Sequence, residues 1–147
     1  MRQTLAVGLS MLLVCFFMTG CTDNQAEKEA VKAVLQNNLK ALQEEDLDGY
    51  LATLHKESPG YEKMKKVCPK IFEIYDLEHE IREIKVLDLS DQKAKVRTVQ
   101  TARRLAGPPS YKDNQSTTVH TLKKYQGEWK VYQTTQKSMK YLNDTAS

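Results

Sequence analysis

Charge is missing from one end of this chain. Residues 3 to 20 hold no charged side chain, and the apolar run from Leu5 to Met18 is broken only by Gly8 and Ser10. Spanning a membrane takes about 20 apolar residues, so this run is short for a span and suits the hydrophobic stretch of a signal peptide behind the single basic residue Arg2. Internal repeats and low-complexity tracts are absent, and 147 residues make one domain with a modest core. A large net charge is also missing. The formal value is +3, one less once Arg2 is gone, which is too small to argue for nucleic acid. The chain has three histidines and three cysteines, none at ligand spacing, which excludes a zinc site of ordinary design.

A sharp border ends the apolar run. Met18-Thr19-Gly20-Cys21 resembles the lipobox of bacterial lipoproteins, in which small residues precede a cysteine that is acylated and becomes the new N-terminus. The resemblance implies a signal peptide over residues 1–20, a lipidated Cys21 on a short tether to residue 26, and a chain anchored to a membrane rather than spanning it. The expected location is the cell envelope, on the extracytoplasmic side, either periplasmic or at the cell surface. Cys15 then leaves with the signal peptide and Cys21 carries lipid, so Cys68 stands alone and the mature domain has no internal disulfide. For Cys68 two readings stand: a reactive thiol, or a small apolar core residue on a helix. Lys63, Lys65, Lys66 and Lys70 share one helical segment, and these lysines either meet anionic headgroups or form a solvated helix face.

Periodicity orders the rest. Ala30, Val31, Val34, Leu35, Leu39 and Leu42 recur at helical spacing between Glu27 and Gln43. Leu47, Tyr50, Leu51 and Leu54 continue at that spacing behind Asp46 or Asp48 as cap, and Pro59-Gly60 stops this second helix. Tyr61, Met64, Val67, Ile71, Phe72 and Tyr75 mark a third, with a kink or fresh start expected at Pro69. After Asp76 the period becomes two. Leu77, His79 and Ile81 alternate with charged residues, but Ile84 and Val86 fall on the other parity, which a bulge near Arg82 and Glu83 reconciles. Ser90 to Lys93 is a turn, a long strand runs on toward Leu105, and Thr117–Tyr125 with Glu128–Thr135 form a hairpin around Gln126-Gly127. Alternation fades past Gln136, so residues 137–147 are expected to trail off. The expected fold class is α+β, with three N-terminal helices packed on a curved four-stranded antiparallel sheet.

This order resembles the nuclear transport factor 2-like superfamily, also called the cystatin-like or cone-shaped α+β fold. The residues that carry the resemblance are Asp46-Leu47-Asp48-Gly49-Tyr50 opening the second helix, Tyr75-Asp76-Leu77 entering the sheet, and the closing hairpin from Leu122 through Gly127-Glu128-Trp129-Lys130-Val131. It covers the domain placed at 27–136. The resemblance implies a conical pocket between helices and sheet. Parity then assigns the inward side chains. Ala94 and Val96 carry Thr98, Gln100 and Ala102 with them; Leu122 carries Thr118 and His120; Trp129 and Val131 carry Gln133; Leu77 and Ile81 carry His79. Tyr50 closes over the set. The candidate ligand-binding residues are therefore Tyr50, His79, Thr98, Gln100, Thr118, His120 and Gln133, a few polar groups converging on an otherwise apolar site.

An isomerase of this superfamily needs an inward carboxylate, and the inward list contains none. Asp76 and Asp113 are the nearest acids, with plain readings as cap and turn residues. By parity Arg103 points outward, and His55 reads as a helix-end cap or surface residue. A supporting, hydrogen-bonded role competes with ligand contact at His79 and His120, and Gln100 and Gln133 can satisfy each other. The outer face, with Val99, Thr101, Val119, Thr121 and Tyr132, is apolar enough to suit a homodimer through the sheet or a different protein partner. The expected function is thus a non-catalytic, membrane-anchored domain that binds a small apolar or amphipathic ligand or serves assembly, without cofactor or metal. An atypical enzyme built on His120 and a structural subunit of an envelope complex are the alternatives.

Overall fold

The helical and alternating stretches become helices and strands in the computed structural model, which describes residues 22–142. The helices are α1 (Thr22–Gln43), α2 (Leu47–Ala52) and α3 (Tyr61–Ile74); the strands are β1 (Asp76–Leu89), β2 (Lys93–Ala106), β3 (Asn114–Tyr125) and β4 (Glu128–Tyr141). All four strands form one antiparallel sheet in the order β1-β2-β3-β4. This is the expected α+β architecture of three helices on a four-stranded antiparallel sheet. The signal peptide and Cys21 lie outside the described residues.

Local chemistry sets the helix ends. The Asp46 carboxylate accepts the Gly49 N–H at 2.9 Å and caps α2, as a short acidic residue at that position should. Helix α3 runs unbroken through Pro69, so no fresh start occurs there. The carbonyl that Pro69 leaves without a donor belongs to Lys65, and both residues lie on the exposed side, within reach of solvent. Lys63, Lys66 and Lys70 are exposed as well, while Cys68 is 2% exposed. Among the described residues Cys68 is the free thiol, and burial pushes its pKa up, so it packs as an apolar side chain.

The core lies between α1 and the sheet. Val31 and Leu35 of α1 meet Ala94, Val96, Leu122 and Val131, with Tyr50, Leu51 and Leu54 closing one side. Trp129 Nε1 and Lys124 Nζ both donate to the Glu27 carboxylate, which ties α1 to the β3–β4 hairpin. Those two bonds, the Trp129 one first, hold the Glu27 carboxyl below its usual range.

Five local expectations are corrected. Helix α2 ends at Ala52, well before Pro59-Gly60, and Leu54 forms a bridge to Val131 instead of a further helical turn. His55 is buried, at 5% exposure, because the chain after α2 runs beside β4: His55 N–H donates to the Val131 carbonyl, and Val131 N–H to that of Thr53, each at 2.9 Å. Its ring packs edge-on against Tyr125 and Tyr132, with centroids 5.1 and 5.4 Å away. Helix α1 begins at Thr22, earlier than Glu27. Strand β3 begins at Asn114, ahead of Thr117. Strand β4 continues to Tyr141, past Gln136, still paired with β3. From Gln133 to Tyr141 it is exposed on both faces, and a strand with no buried face leaves no alternation in the sequence.

Candidate functional site

Register assembles the concave face row by row. One row is Val86, Val96, His120 and Thr134; the next is Ile84, Thr98, Thr118 and Gln136; beyond it come Ile81, Gln100, Ser116 and Met139, then His79, Ala102, Asn114 and Tyr141. The parity slip on β1 falls where the sequence predicts it, since pairing jumps from Ile81 to Glu83 and leaves Arg82 as the extra residue.

The same device on β4 overturns one assignment. Pairing there passes from Leu122↔Val131 to Thr121↔Gln133, so Tyr132 is the extra residue and the side chains from Gln133 to Gln136 change face, until a second shift at Lys137 restores the first phase. Gln133 is therefore exposed on the outer side, away from Gln100, and Thr134 takes the inward place.

Thr134, itself exposed, closes a network whose other two members are buried. His120, 7% exposed, lies with Nε2 3.0 Å from Thr98 Oγ1 and Nδ1 3.1 Å from Thr134 Oγ1. A threonine hydroxyl both donates and accepts, so either neutral tautomer is satisfied at both nitrogens. Burial lowers the His120 pKa to about 4, which keeps the ring neutral at physiological pH. Thr118 is 3% exposed beside this network, and Gln100 is half-buried one row further along. Tyr50 is a core residue at 7% exposure, and desolvation raises its pKa.

None of those side chains lines the apolar cavity beneath α3. A space of about 380 Å³ lies between α3, the end of α1 and the start of β1. Helix α3 contributes Met64, Cys68, Ile71 and Phe72; α1 contributes Leu42; Tyr75, Leu77 and His79 line it from the entrance to β1. Tyr111, from the loop between β2 and β3, and Glu45, from the turn after α1, complete the lining. His79 is thus the one candidate from parity that faces this space. Its backbone N–H donates to Gln43 Oε1 at 2.6 Å, and burial lowers its pKa.

The aromatic wall is fixed from outside. Tyr75 and Tyr111 have ring centroids 5.4 Å apart at 51°. The Tyr75 hydroxyl is 3.3 Å from Ser110 Oγ, and the Tyr111 hydroxyl accepts from Asn114 Nδ2 at 3.4 Å. Gly107, at φ +107°, lets the loop pass so close that a Cβ there would stand 2.4 Å from the Ile74 carbonyl oxygen and 2.9 Å from Tyr75 Cδ1. Strand parity misses these residues because most of them sit on α3 and on turns. The usable signal is the stripe Met64, Cys68, Ile71, Phe72 and Tyr75, at helical spacing, which marks a buried helix face without revealing a gap beneath it. Among the described residues, no cluster of three or more histidine, cysteine, aspartate or glutamate side chains could hold a metal ion.

Several solved structures share the fold. A scytalone dehydratase-like protein from Novosphingobium aromaticivorans matches with TM-score 0.65 and 20% identity, over 82% of this chain and 91% of its own. A nuclear transport factor 2-like protein of unknown function from Shewanella oneidensis matches with TM-score 0.58 and 18% identity, over 75% and 98%. A ketosteroid isomerase-like protein from Erwinia carotovora atroseptica matches with TM-score 0.57 and 22% identity, over 76% and 97%. Likeness at these identities establishes the nuclear transport factor 2-like, cystatin-like fold and leaves the chemistry to the residues. No curated protein matches the chain significantly. A family model does, across the second half of α1, both other helices and all four strands: with residues 33–142 matched, the chain belongs to the family of the C-terminal domain of anti-sigma-I factor RsgI9.

Proposed function

We propose that this protein is a lipid-anchored domain on the extracytoplasmic side of a bacterial envelope, and that it holds a small apolar or amphipathic molecule in the cavity beneath α3 without transforming it. The observation that carries the reading is the lining itself: Leu42, Met64, Ile71, Phe72 and Leu77 around a space of about 380 Å³, which is within the size range of small-molecule sites. Among the described lining residues His79 and Glu45 are the acid–base groups, and no hydrogen bond joins them. His120 has two threonines for partners and no carboxylate, and the acid that lines the cavity, Glu45, is exposed. The matched domain is the C-terminal domain of an anti-sigma factor, and placement in a regulatory protein agrees better with binding or assembly than with turnover.

Anchoring rests on the sequence at Met18-Thr19-Gly20-Cys21, immediately ahead of α1. Pairing of two copies through the outer sheet face, where Val99, Val119 and Thr121 are half-buried, belongs to the same proposal.

Native mass spectrometry of the full chain, purified from its own host, tests both parts. The expected spectrum is a dimer retaining a small molecule, and Leu77→Trp, which fills the cavity from β1, loses that molecule while staying folded. A monomer would remove the dimer. A chain that arrives empty and takes up none of a panel of apolar and amphipathic compounds would end the binding proposal.

A further inference from the structure

We propose that the cavity beneath α3 takes an organic cation, an ammonium group carried on an apolar body, with Glu45 as its counter-charge and the rings of Tyr75, Tyr111 and Phe72 as its wall. This rests on the ligand-binding proposal and narrows it to one ligand class. Among the described lining residues the formal charge comes from Glu45 and is negative, and no lysine or arginine faces the space. A carboxylate ligand would meet like charge there with no cation to receive it. Aromatic faces carry negative potential, and an ammonium placed over them is attracted more strongly as water is excluded. The tyrosine hydroxyls already engage Ser110 and Asn114, which leaves the rings for a ligand.

The end of α1 fixes the backbone at Glu45. Helix α1 ends with Asp46 N–H donating to the Ala41 carbonyl at 2.9 Å and Glu45 N–H to that of Leu42 at 3.3 Å, a pattern that places Glu45 in the left-handed region, at φ +55°. Glycine is the usual occupant of that position, since a side chain there is strained. Glu45 keeps that conformation among the residues that line the cavity, and it is the charged one of them.

The test uses three probes with one phenyl body, too short to form micelles: benzyltrimethylammonium, 2-phenylethanol and phenylacetate. Each is titrated calorimetrically into the full chain and into Glu45→Gln and Glu45→Gly. The expected order is cation over alcohol over acid, with the cation about tenfold tighter than the acid. Glu45→Gln brings the three together, and Glu45→Gly does the same while raising Tm, which separates the role of the carboxylate from any loss of fold. A preference for phenylacetate, or a cation preference that survives in Glu45→Gln, overturns the assignment. Binding of the alcohol alone overturns it while sparing the cavity as an apolar site. Failure of all three probes, together with an empty cavity in the chain from its host, removes both readings.

Discussion

His120 and its two threonines make a pH-sensitive point in the core. The unfolded imidazole titrates near 6.5, and burial lowers the folded value to about 4. Between those pH values the unfolded chain holds a proton at this residue that the folded chain excludes, so folding stability falls as pH drops through the window and levels off below it. For a ring this buried the total loss is roughly 3 kcal/mol. His79 shifts in the same direction for the same cause and adds to the slope. Urea unfolding from pH 7 to pH 4 is expected to show a falling midpoint, less steeply in His120→Gln; an equal slope in that variant would assign the sensitivity elsewhere. Thr98→Val strips Nε2 of its partner while keeping the packing shape, and a buried nitrogen left unpaired costs about 1–3 kcal/mol. A loss of that size in Thr98→Val would assign the network the supporting role that competes with ligand contact in the sequence.

At the scale of elements, what the sequence makes legible depends on which residues come after a bulge. On β1 the extra residue at Arg82 shows itself because apolar side chains lie on both sides of it, Ile81 before and Ile84 and Val86 after, on opposite parities. On β4 the extra residue at Tyr132 is followed by Gln133, Thr134, Thr135 and Gln136, and a run without apolar residues carries no phase. Parity carried across that bulge therefore misplaces Gln133 and misses Thr134. The three helices are legible as elements, because their stripes face one core, but their ends are not: α1 starts at Thr22 and α2 stops at Ala52. The cavity is not, since a gap depends on how separate elements are set against one another, and periodicity describes each element alone. Glu45 reads as part of a polar break. Gly107 is where the loop bearing Tyr111 passes the end of α3, and it tests how far that seam shapes the site. Gly107→Ala forces a Cβ toward the Ile74 carbonyl at a left-handed φ and is expected to cost about 2 kcal/mol or more. Tyr75 must move as well, so ligand affinity should fall in step with the denaturation midpoint. A variant of unchanged stability and affinity would mean that the loop yields without consequence.

For the whole molecule, α1 relates the proposed anchor to the site. Near its first turns, Asn24 and Glu27 lie by the Ser90–Gln92 turn and Lys124, while Leu42 at its far end lines the cavity. Twenty-two residues at about 1.5 Å each separate the two ends by about 33 Å. With acyl chains on Cys21, immediately before Thr22, the end carrying the β1–β2 and β3–β4 turns would rest at the bilayer and the cavity would open away from it. Ligand would then arrive from the aqueous compartment or from a partner, without passing through the anchoring membrane. Large apolar side chains left exposed at the cavity end, Ile74, Leu105, Met139 and Tyr141, suit a surface that meets a visiting molecule better than one resting among headgroups. Energy transfer measures this orientation directly. One dye is attached in turn to Gln92→Cys and to Lys112→Cys of the acylated chain on vesicles whose headgroups bear the acceptor, with Cys68 too buried to compete for label. Position 92 is expected to transfer strongly and position 112, beside Tyr111, far less. Equal or reversed transfer would mean that α1 lies along the membrane or points its far end into it, and a ligand route through the bilayer would take the place of the aqueous one.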